Sequence, residues 1–122
     1  MSDVLEPLEL AHIANDPDFR RLIEECDRVL KSKGHDYTQG EPGTHARLKN
    51  FYEAAAFLGI SPLQSLGNYW YKHVTAIFTF LKHGQVESEP IEGRIVDTIN
   101  YLLLLYKMIQ YERLAKVTGE EK

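Results

Sequence analysis

The sequence lacks several features that would assign it quickly to a class of protein. It contains a single cysteine, Cys26, so a disulfide framework or a cysteine-rich zinc site within one chain is excluded. Its longest apolar run, YLLLLY at residues 101–106, is far too short to span a bilayer. The N-terminus has neither the basic nor the apolar segment of a signal peptide, which predicts the cytoplasm as the compartment.

Basic residues are outnumbered by acidic ones. The 14 lysines and arginines face 18 aspartates and glutamates, for a formal net charge of -4. This balance argues against nucleic acid as the main partner, because binding a phosphate backbone usually needs a basic face. Hydrophobic residues make up 43% and charged residues 26%, which is typical of a globular domain. We therefore expect one domain over 1–122, with 1–15 and 118–122 peripheral.

The common catalytic motifs are also absent. The chain has no GxxxxGK[ST] phosphate loop, no GxGxxG, no GxSxG and no HExxH. No nucleophile stands beside an obvious base. Any chemistry would therefore depend on carboxylates and cations carried by helices and acting on a phosphorylated molecule.

What the sequence does contain is helical punctuation. Asp16-Pro17 and Ser61-Pro62 each combine an N-cap residue with a proline at the first helical position. Glycines at 34, 59 and 84 are natural helix ends. The predicted main helices are 17–33, 45–58, 62–83 and 90–117, with a short additional helix within 3–14 and a loop at 34–44. No stretch alternates with period two, so we predict an all-α antiparallel bundle of four main helices.

The fourth predicted helix is apolar on nearly all sides. Ile91, Ile95, Leu102 and Ile109 lie on one side, and Leu104 and Met108 lie on another. Such a helix is either central in its own bundle or shared with a second subunit. With only four helices available, the second arrangement predicts a homo-oligomer, a dimer or larger; the first predicts a monomeric core.

Asp97 interrupts an apolar line of this helix formed with Tyr101, Leu104 and Met108. A carboxylate on an apolar face is costly unless a cation or a metal ion satisfies it. The candidates are a lysine, an arginine, a histidine or a divalent cation, and Asn100 lies one turn away. Asp97 is thus a candidate metal ligand, with Mg²⁺ the candidate ion, or one half of a buried ion pair.

The other helices offer cations that could meet such a carboxylate or a phosphate. Arg47 lies on the apolar side of the second helix, with Asn50 on its flank, and could pair with Asp97 or with a bound phosphate. On the third helix, His73 lies at the edge of the apolar stripe and Lys72 on the opposite side. If neither residue binds a ligand, we expect His73 to be a hydrogen-bonded histidine at the edge of the core and Lys72 to be a solvated charge.

Two further residues have contrasting expectations. Tyr37, in the predicted loop, could stack on a base as part of a lid. Cys26 follows the helical spacing of Phe19, Leu22, Val29 and Lys33, which predicts a buried thiol rather than a nucleophile. The acidic residues around it on the first helix are typical of a solvated face.

Four short segments carry a resemblance to a known family. KGHDY, RLKNFYEAA, YWYKHVTAI and DTINYLLLL occur in this order within 31–106. In this the chain resembles small phage and bacterial helical proteins of the nucleotide modification associated domain family. The resemblance implies a link to nucleotides rather than a defined reaction, and a location in the host cytoplasm if the gene is of phage origin.

A more distant likeness is to the all-α nucleotide pyrophosphatases of the MazG and dimeric dUTPase type. These hold magnesium through ExxE and ExxD motifs, and Asp97 with Tyr101 matches the second motif in part. The position three before Asp97 is Arg94 instead of glutamate, and Lys72-His73 stands where an acidic pair is expected. The likeness therefore implies a nucleotide but not a complete magnesium cage.

Three hypotheses follow. The first is a nucleotide or phosphate binder, in which the second, third and fourth helices supply the contacts and no turnover occurs. The second is a metal-assisted nucleotide pyrophosphatase. The third is a structural oligomeric adaptor without a ligand. The candidate ligand-binding residues are Tyr37, Arg47, Asn50, Lys72, His73, Asp97 and Asn100, and no catalytic residue is assigned.

Overall fold

The computed structural model describes residues 12–37, 43–87 and 89–118, with side chains described outside 34–47 and 118. A short 3-10 helix, Ile13–Asn15, precedes the main helices. These are α1 (Pro17–Tyr37), α2 (Gly43–Leu58), α3 (Pro62–His83) and α4 (Ile91–Thr118). No strand occurs in these three ranges, so the all-α prediction with four main helices is confirmed.

The predicted caps at the starts of α1 and α3 are both formed. Asp16 Oδ1 accepts hydrogen bonds from the backbone N–H groups of Asp18 and Phe19, at 2.8 and 3.1 Å. Ser61 and Gln64 form a reciprocal capping box, in which each side chain accepts a bond from the other residue's backbone N–H. These bonds satisfy donors that have no partner within the helix, and they set where α1 and α3 begin.

Glycine ends α3 but not α1. Gly84 adopts a φ of 80°, a left-handed conformation that glycine enters without a steric cost, and its N–H donates to Phe80 O. By contrast, α1 continues past Gly34 to Tyr37, so the predicted end at Lys33 is wrong. A glycine costs only about 1 kcal/mol within a helix, which neighbouring interactions can outweigh. α2 likewise begins at Gly43 and not at 45, and 38–42 and most of 3–14 lie outside the described residues.

The core lies where α2, α3 and α4 meet, and α4 packs against each of the other three helices. Its members are Leu48, Phe51, Leu66, Tyr101, Leu104 and Met108. Phe51 makes edge-to-face contacts with Tyr69 and Tyr101, with centroids 5.8 and 6.1 Å apart. Cys26 is only 2% exposed, which confirms the prediction of a buried thiol.

The buried face of α3 differs from the predicted stripe. The apolar stripe predicted from helical spacing is Leu63, Leu66, Trp70, Val74, Ile77 and Leu81; Leu66 is buried, but Leu81 is 69% exposed. The other buried residues of α3 are polar: Ser65 and His73. His73 is therefore inside the bundle and not at its edge, because α3 is rotated so that this side faces α4.

Part of the apolar surface of α4 faces away from the core. Leu104 and Met108 are completely buried, whereas Leu102 and Leu103 are about half exposed and Tyr106 is 67% exposed. Despite this apolar character, none of the helices in the described part of the chain has the length and hydropathy needed to cross a membrane.

Candidate functional site

Asp97 lies at the centre of a partly buried network of charges. Its Oδ1 accepts a hydrogen bond of 2.9 Å from Lys33 Nζ of α1, and its Oδ2 lies 3.5 Å from His73 Nδ1 of α3. The Asp97 side chain is 10% exposed and that of Lys33 is 36% exposed. Lys33, which the sequence did not single out as the partner, is therefore the cation that directly neutralises Asp97.

The network continues through His73 to a second ion pair. Arg94 Nη1 lies 3.2 Å from His73 Nδ1, and Arg94 Nε lies 3.1 Å from Glu89 Oε1. Arg94 therefore connects the segment before α4 to α3. Arg94 stands where the pyrophosphatase motif has a glutamate. In this structure its guanidinium contacts His73 and Glu89 and so holds the start of α4 against α3.

The surroundings of His73 favour its neutral form. Burial lowers the pKa of the His73 imidazole, and the positive charges of Arg94, Lys72 and Lys33 lower it further, while Asp97 opposes the shift. One face of the ring packs against Tyr101, with centroids 5.4 Å apart. His73 therefore links the charge network on one side to the aromatic core on the other.

Asn100 has a structural contact instead of a place in this network. Its side chain is 3% exposed, and Nδ2 donates a 3.0 Å hydrogen bond to the carbonyl oxygen of Cys26 in α1. This bond holds α1 against α4 one turn away from Asp97. Burial also raises the pKa of the Cys26 thiol, which keeps it protonated and unreactive.

A cleft between α1 and the start of α4 exposes the acidic side of the network. It has a volume of about 250 Å³, and its lining residues include Glu25, Glu89, Glu92 and Asp97. Donor atoms of His73, Glu89 and Asp97 lie within 4.8 Å of one another, a separation that movement of the exposed Glu89 could reduce around a cation. Lys33 and Arg94 already contact these donors, so a metal ion would have to displace them.

A second and larger cavity lies between α2, α3 and α4. Its volume is about 580 Å³, within the range of small-molecule sites. Its lining combines aromatic and polar side chains: Asn50, Phe51, Glu53, Ala54, Phe57, Tyr69, Lys72 and Tyr101. We call this cavity the aromatic pocket.

The helical spacing of these residues explains the shape of the aromatic pocket. Asn50, Ala54 and Phe57 recur at three- and four-residue intervals, so they lie on one side of α2. The small side chain of Ala54 leaves space between its larger neighbours. Phe57 is 89% exposed and Tyr69 is 45% exposed, so these two rings are accessible to a ligand, whereas Phe51 and Tyr101 are buried.

The structure brings the predicted site residues together in two groups. Asn50 and Lys72 line the aromatic pocket, and His73 and Asp97 lie in the charge network. Lys72 and His73 face different surroundings, as their positions on the helix predict. Asn100 contacts neither group through its described hydrogen bond. The side chains of Tyr37 and Arg47 lie outside the described residues, so their predicted contacts remain predictions.

Sequence reasoning missed Lys33, Glu53, Glu89 and the aromatic walls of the pocket. Lys33 carried a usable signal, since it follows the apolar spacing of Cys26 and Val29 on α1. A lysine on such a face needs an acidic partner, as Asp97 needs a basic one. Comparison of the chain with protein-family models, curated proteins and solved structures finds no match.

Proposed function

We propose that the protein binds a nucleotide or a closely related phosphate ligand in the aromatic pocket, without requiring a complete magnesium cage. The observation that carries this proposal is the combination of accessible aromatic rings with Lys72 around a cavity of about 580 Å³. A base can stack on Tyr69 or Phe57, because every base presents a π face. The lysine ammonium is a point charge suited to a phosphate.

The state of Lys72 supports this role. The side chain is exposed, and among the described residues none forms a hydrogen bond or ion pair with it. A phosphate could therefore bind without displacing an internal partner. Arg47 remains a proposed second phosphate contact and Tyr37 a proposed cover. His73 packs against Tyr101, which lines the pocket, and Asp97 contacts His73. In this proposal the two residues position Tyr101 and do not contact the phosphate.

Calorimetry and thermal shift with a nucleotide panel, with and without magnesium, test the proposal. Stabilisation follows mass action, about 2.7 kcal/mol at a ligand concentration one hundred times the dissociation constant. Lys72→Met should weaken binding at least tenfold, because a charge-assisted hydrogen bond contributes about 1.5–3 kcal/mol. Lys82→Met, an exposed lysine on the same helix outside the pocket, should bind normally and serves as the matched control.

A cavity-filling variant gives an independent test. Ala54→Leu places a larger side chain in the aromatic pocket and should abolish binding while the protein remains folded by circular dichroism. Normal binding by this variant, or no response to any nucleotide by the wild type, would refute the proposal. Assays for released phosphate and pyrophosphate then separate a binder from an enzyme.

A metal-assisted nucleotide pyrophosphatase is the second candidate function, and the cleft between α1 and the start of α4 favours it. Glu25, Glu89, Glu92 and Asp97 offer the oxygen ligands that Mg²⁺ prefers, and one or two carboxylates plus substrate phosphates can hold this ion. Against it, Lys33 and Arg94 contact the same groups. A magnesium-dependent release of pyrophosphate that Asp97→Asn abolishes would support this candidate over the binder.

We also infer that a second copy of the chain covers the exposed apolar side of α4. Leu103, Tyr106, Leu114 and Val117 are each more than half exposed and lie within one narrow stripe of the helix. Lys107 and Gln110 lie between them on the same side of the helix, so the stripe consists of two short apolar patches, and exposed apolar patches mark interaction sites. If no ligand binds, a structural oligomeric adaptor is the remaining function. The proposed location is the cytoplasm in each case.

A further inference from the structure

The aromatic pocket carries two opposite charges at positions that do not neutralise each other. Glu53 projects from α2 and Lys72 from α3, and both line the cavity. Among the described residues, neither side chain forms an ion pair or hydrogen bond with the other or with a third group. Both charges are therefore available to a molecule within the pocket.

A ligand that carries only negative charge fits this arrangement poorly. Phosphate groups are attracted to Lys72, but a second anionic group near Glu53 would be repelled by its carboxylate. An ionised carboxylate is only an acceptor of hydrogen bonds, so it needs N–H or O–H donors on the ligand. The pocket thus favours a molecule with an anion at one end and N–H donors at the other, separated by an aromatic ring.

We propose that the aromatic pocket selects nucleotides whose base carries an exocyclic amino group, with Glu53 accepting from this amine while Lys72 binds the phosphate. This inference rests on the proposed function and adds the class of base. Adenine, cytosine and guanine each present such an amine, and carboxylates accept from the cytosine amine in DNA recognition. Uracil and hypoxanthine carry a carbonyl oxygen at the corresponding position, and this oxygen repels a carboxylate.

Matched pairs of nucleoside monophosphates change only this amine and the ring nitrogen beside it. CMP carries the amine, whereas UMP carries a carbonyl oxygen in its place and an N–H at the adjacent ring nitrogen. AMP and IMP differ in the same way. Isothermal titration with the full chain should show CMP and AMP binding about tenfold more tightly than UMP and IMP, because a carboxylate that recognises a donor discriminates against analogues lacking it.

Variants then assign the preference to Glu53. Glu53→Gln should reduce the difference within each pair to less than about threefold, since a neutral amide can accept from an amine or donate to a carbonyl. Glu24→Gln changes an exposed glutamate of α1 outside the pocket and should leave the difference unchanged. Circular dichroism melting confirms that each variant is folded.

The possible results distinguish the proposed base preference from the proposed nucleotide binding on which it rests. If the wild type binds both members of each pair equally, the base preference is refuted while nucleotide binding stands. If Glu53→Gln keeps the full preference, the assignment to Glu53 is refuted. If none of the four monophosphates binds and none of the wider nucleotide panel does, the proposed function itself fails.

Discussion

Lys33 Nζ lies 2.9 Å from Asp97 Oδ1, and this contact joins two residues 64 positions apart. It ties the last part of α1 to the first half of α4, next to the hydrogen bond between Asn100 and the Cys26 carbonyl. Asp97 is therefore a neutralised internal charge in this state of the protein. Its carboxylate is available to another cation only if Lys33 moves away.

Removing Lys33 should destabilise the protein. Lys33→Met leaves Asp97 largely buried with one fewer cation, and we expect a loss of about 2 kcal/mol, less than for a fully buried pair because Lys33 is partly exposed. Urea denaturation measures the change. The control is Lys31→Met, which removes an exposed pair with Asp27 and should cost about 0.5 kcal/mol or less. Equal losses of unfolding free energy in the two variants would show that the Lys33–Asp97 pair stabilises the protein no more than an exposed pair does.

His73 should make stability depend on pH. Burial holds the pKa of His73 in the folded protein below its value in the unfolded chain. Below the unfolded pKa, near 6.5, the unfolded chain therefore binds more protons than the folded protein, and the free energy of unfolding falls as pH decreases towards the folded pKa.

Denaturant titrations between pH 7.5 and pH 5 measure this dependence, over the range that follows from the ordinary histidine pKa of about 6.5. His73→Gln should flatten the loss of stability in this range. His83→Gln changes an exposed histidine at the end of α3 and should retain it. A wild-type protein whose unfolding free energy rises as pH falls through this range would show that the neutral, buried assignment is wrong.

Cys26 should be chemically inert in the folded protein. The thiol is 2% exposed and its pKa is raised by burial, so little reactive thiolate is present near neutral pH. Ellman's reagent should therefore react much more slowly with native protein than with protein in denaturant. Rapid reaction of the native protein would show that the thiol is accessible, contrary to its burial in the structure.

The exposed stripe of α4 should mediate self-association. We expect light scattering to give a mass above the 14.1 kDa of one chain. Leu103→Glu with Tyr106→Glu places two charges on the stripe and should yield monomers, because an unpaired charge is strongly disfavoured in an apolar interface. Phe19→Glu, an exposed apolar residue of α1, is the control. A wild-type chain that remains monomeric at every concentration would refute the inference.

Local signals predicted most of the fold. The caps at Asp16 and Ser61, and the glycine at 84, act through bonds within a few residues, so they can be recognised without knowing the tertiary structure. The burial of Cys26 followed from helical spacing. The end of α1 did not follow, because a glycine costs only about 1 kcal/mol within a helix and does not by itself end one.

The candidate site was predictable only in part. That Asp97 needs a cation follows from the cost of an unpaired carboxylate on an apolar face, a property of one helix. Which cation it meets depends on how α1 crosses α4, and local periodicity carries no information about this crossing. The choice of Lys33 over Lys72 or His73 as the closest partner is therefore a result of tertiary packing.

The aromatic pocket shows the same division. The sequence by itself determined that α2 and α3 carry aromatic residues beside Asn50 and Lys72, because these identities and spacings are written in the chain. Only the tertiary structure decided that Glu53, Tyr69 and Tyr101 surround one cavity with them, since three helices contribute to it. Cavities form where side chains from separate segments fail to fill space, and that mismatch exists only after the helices have packed.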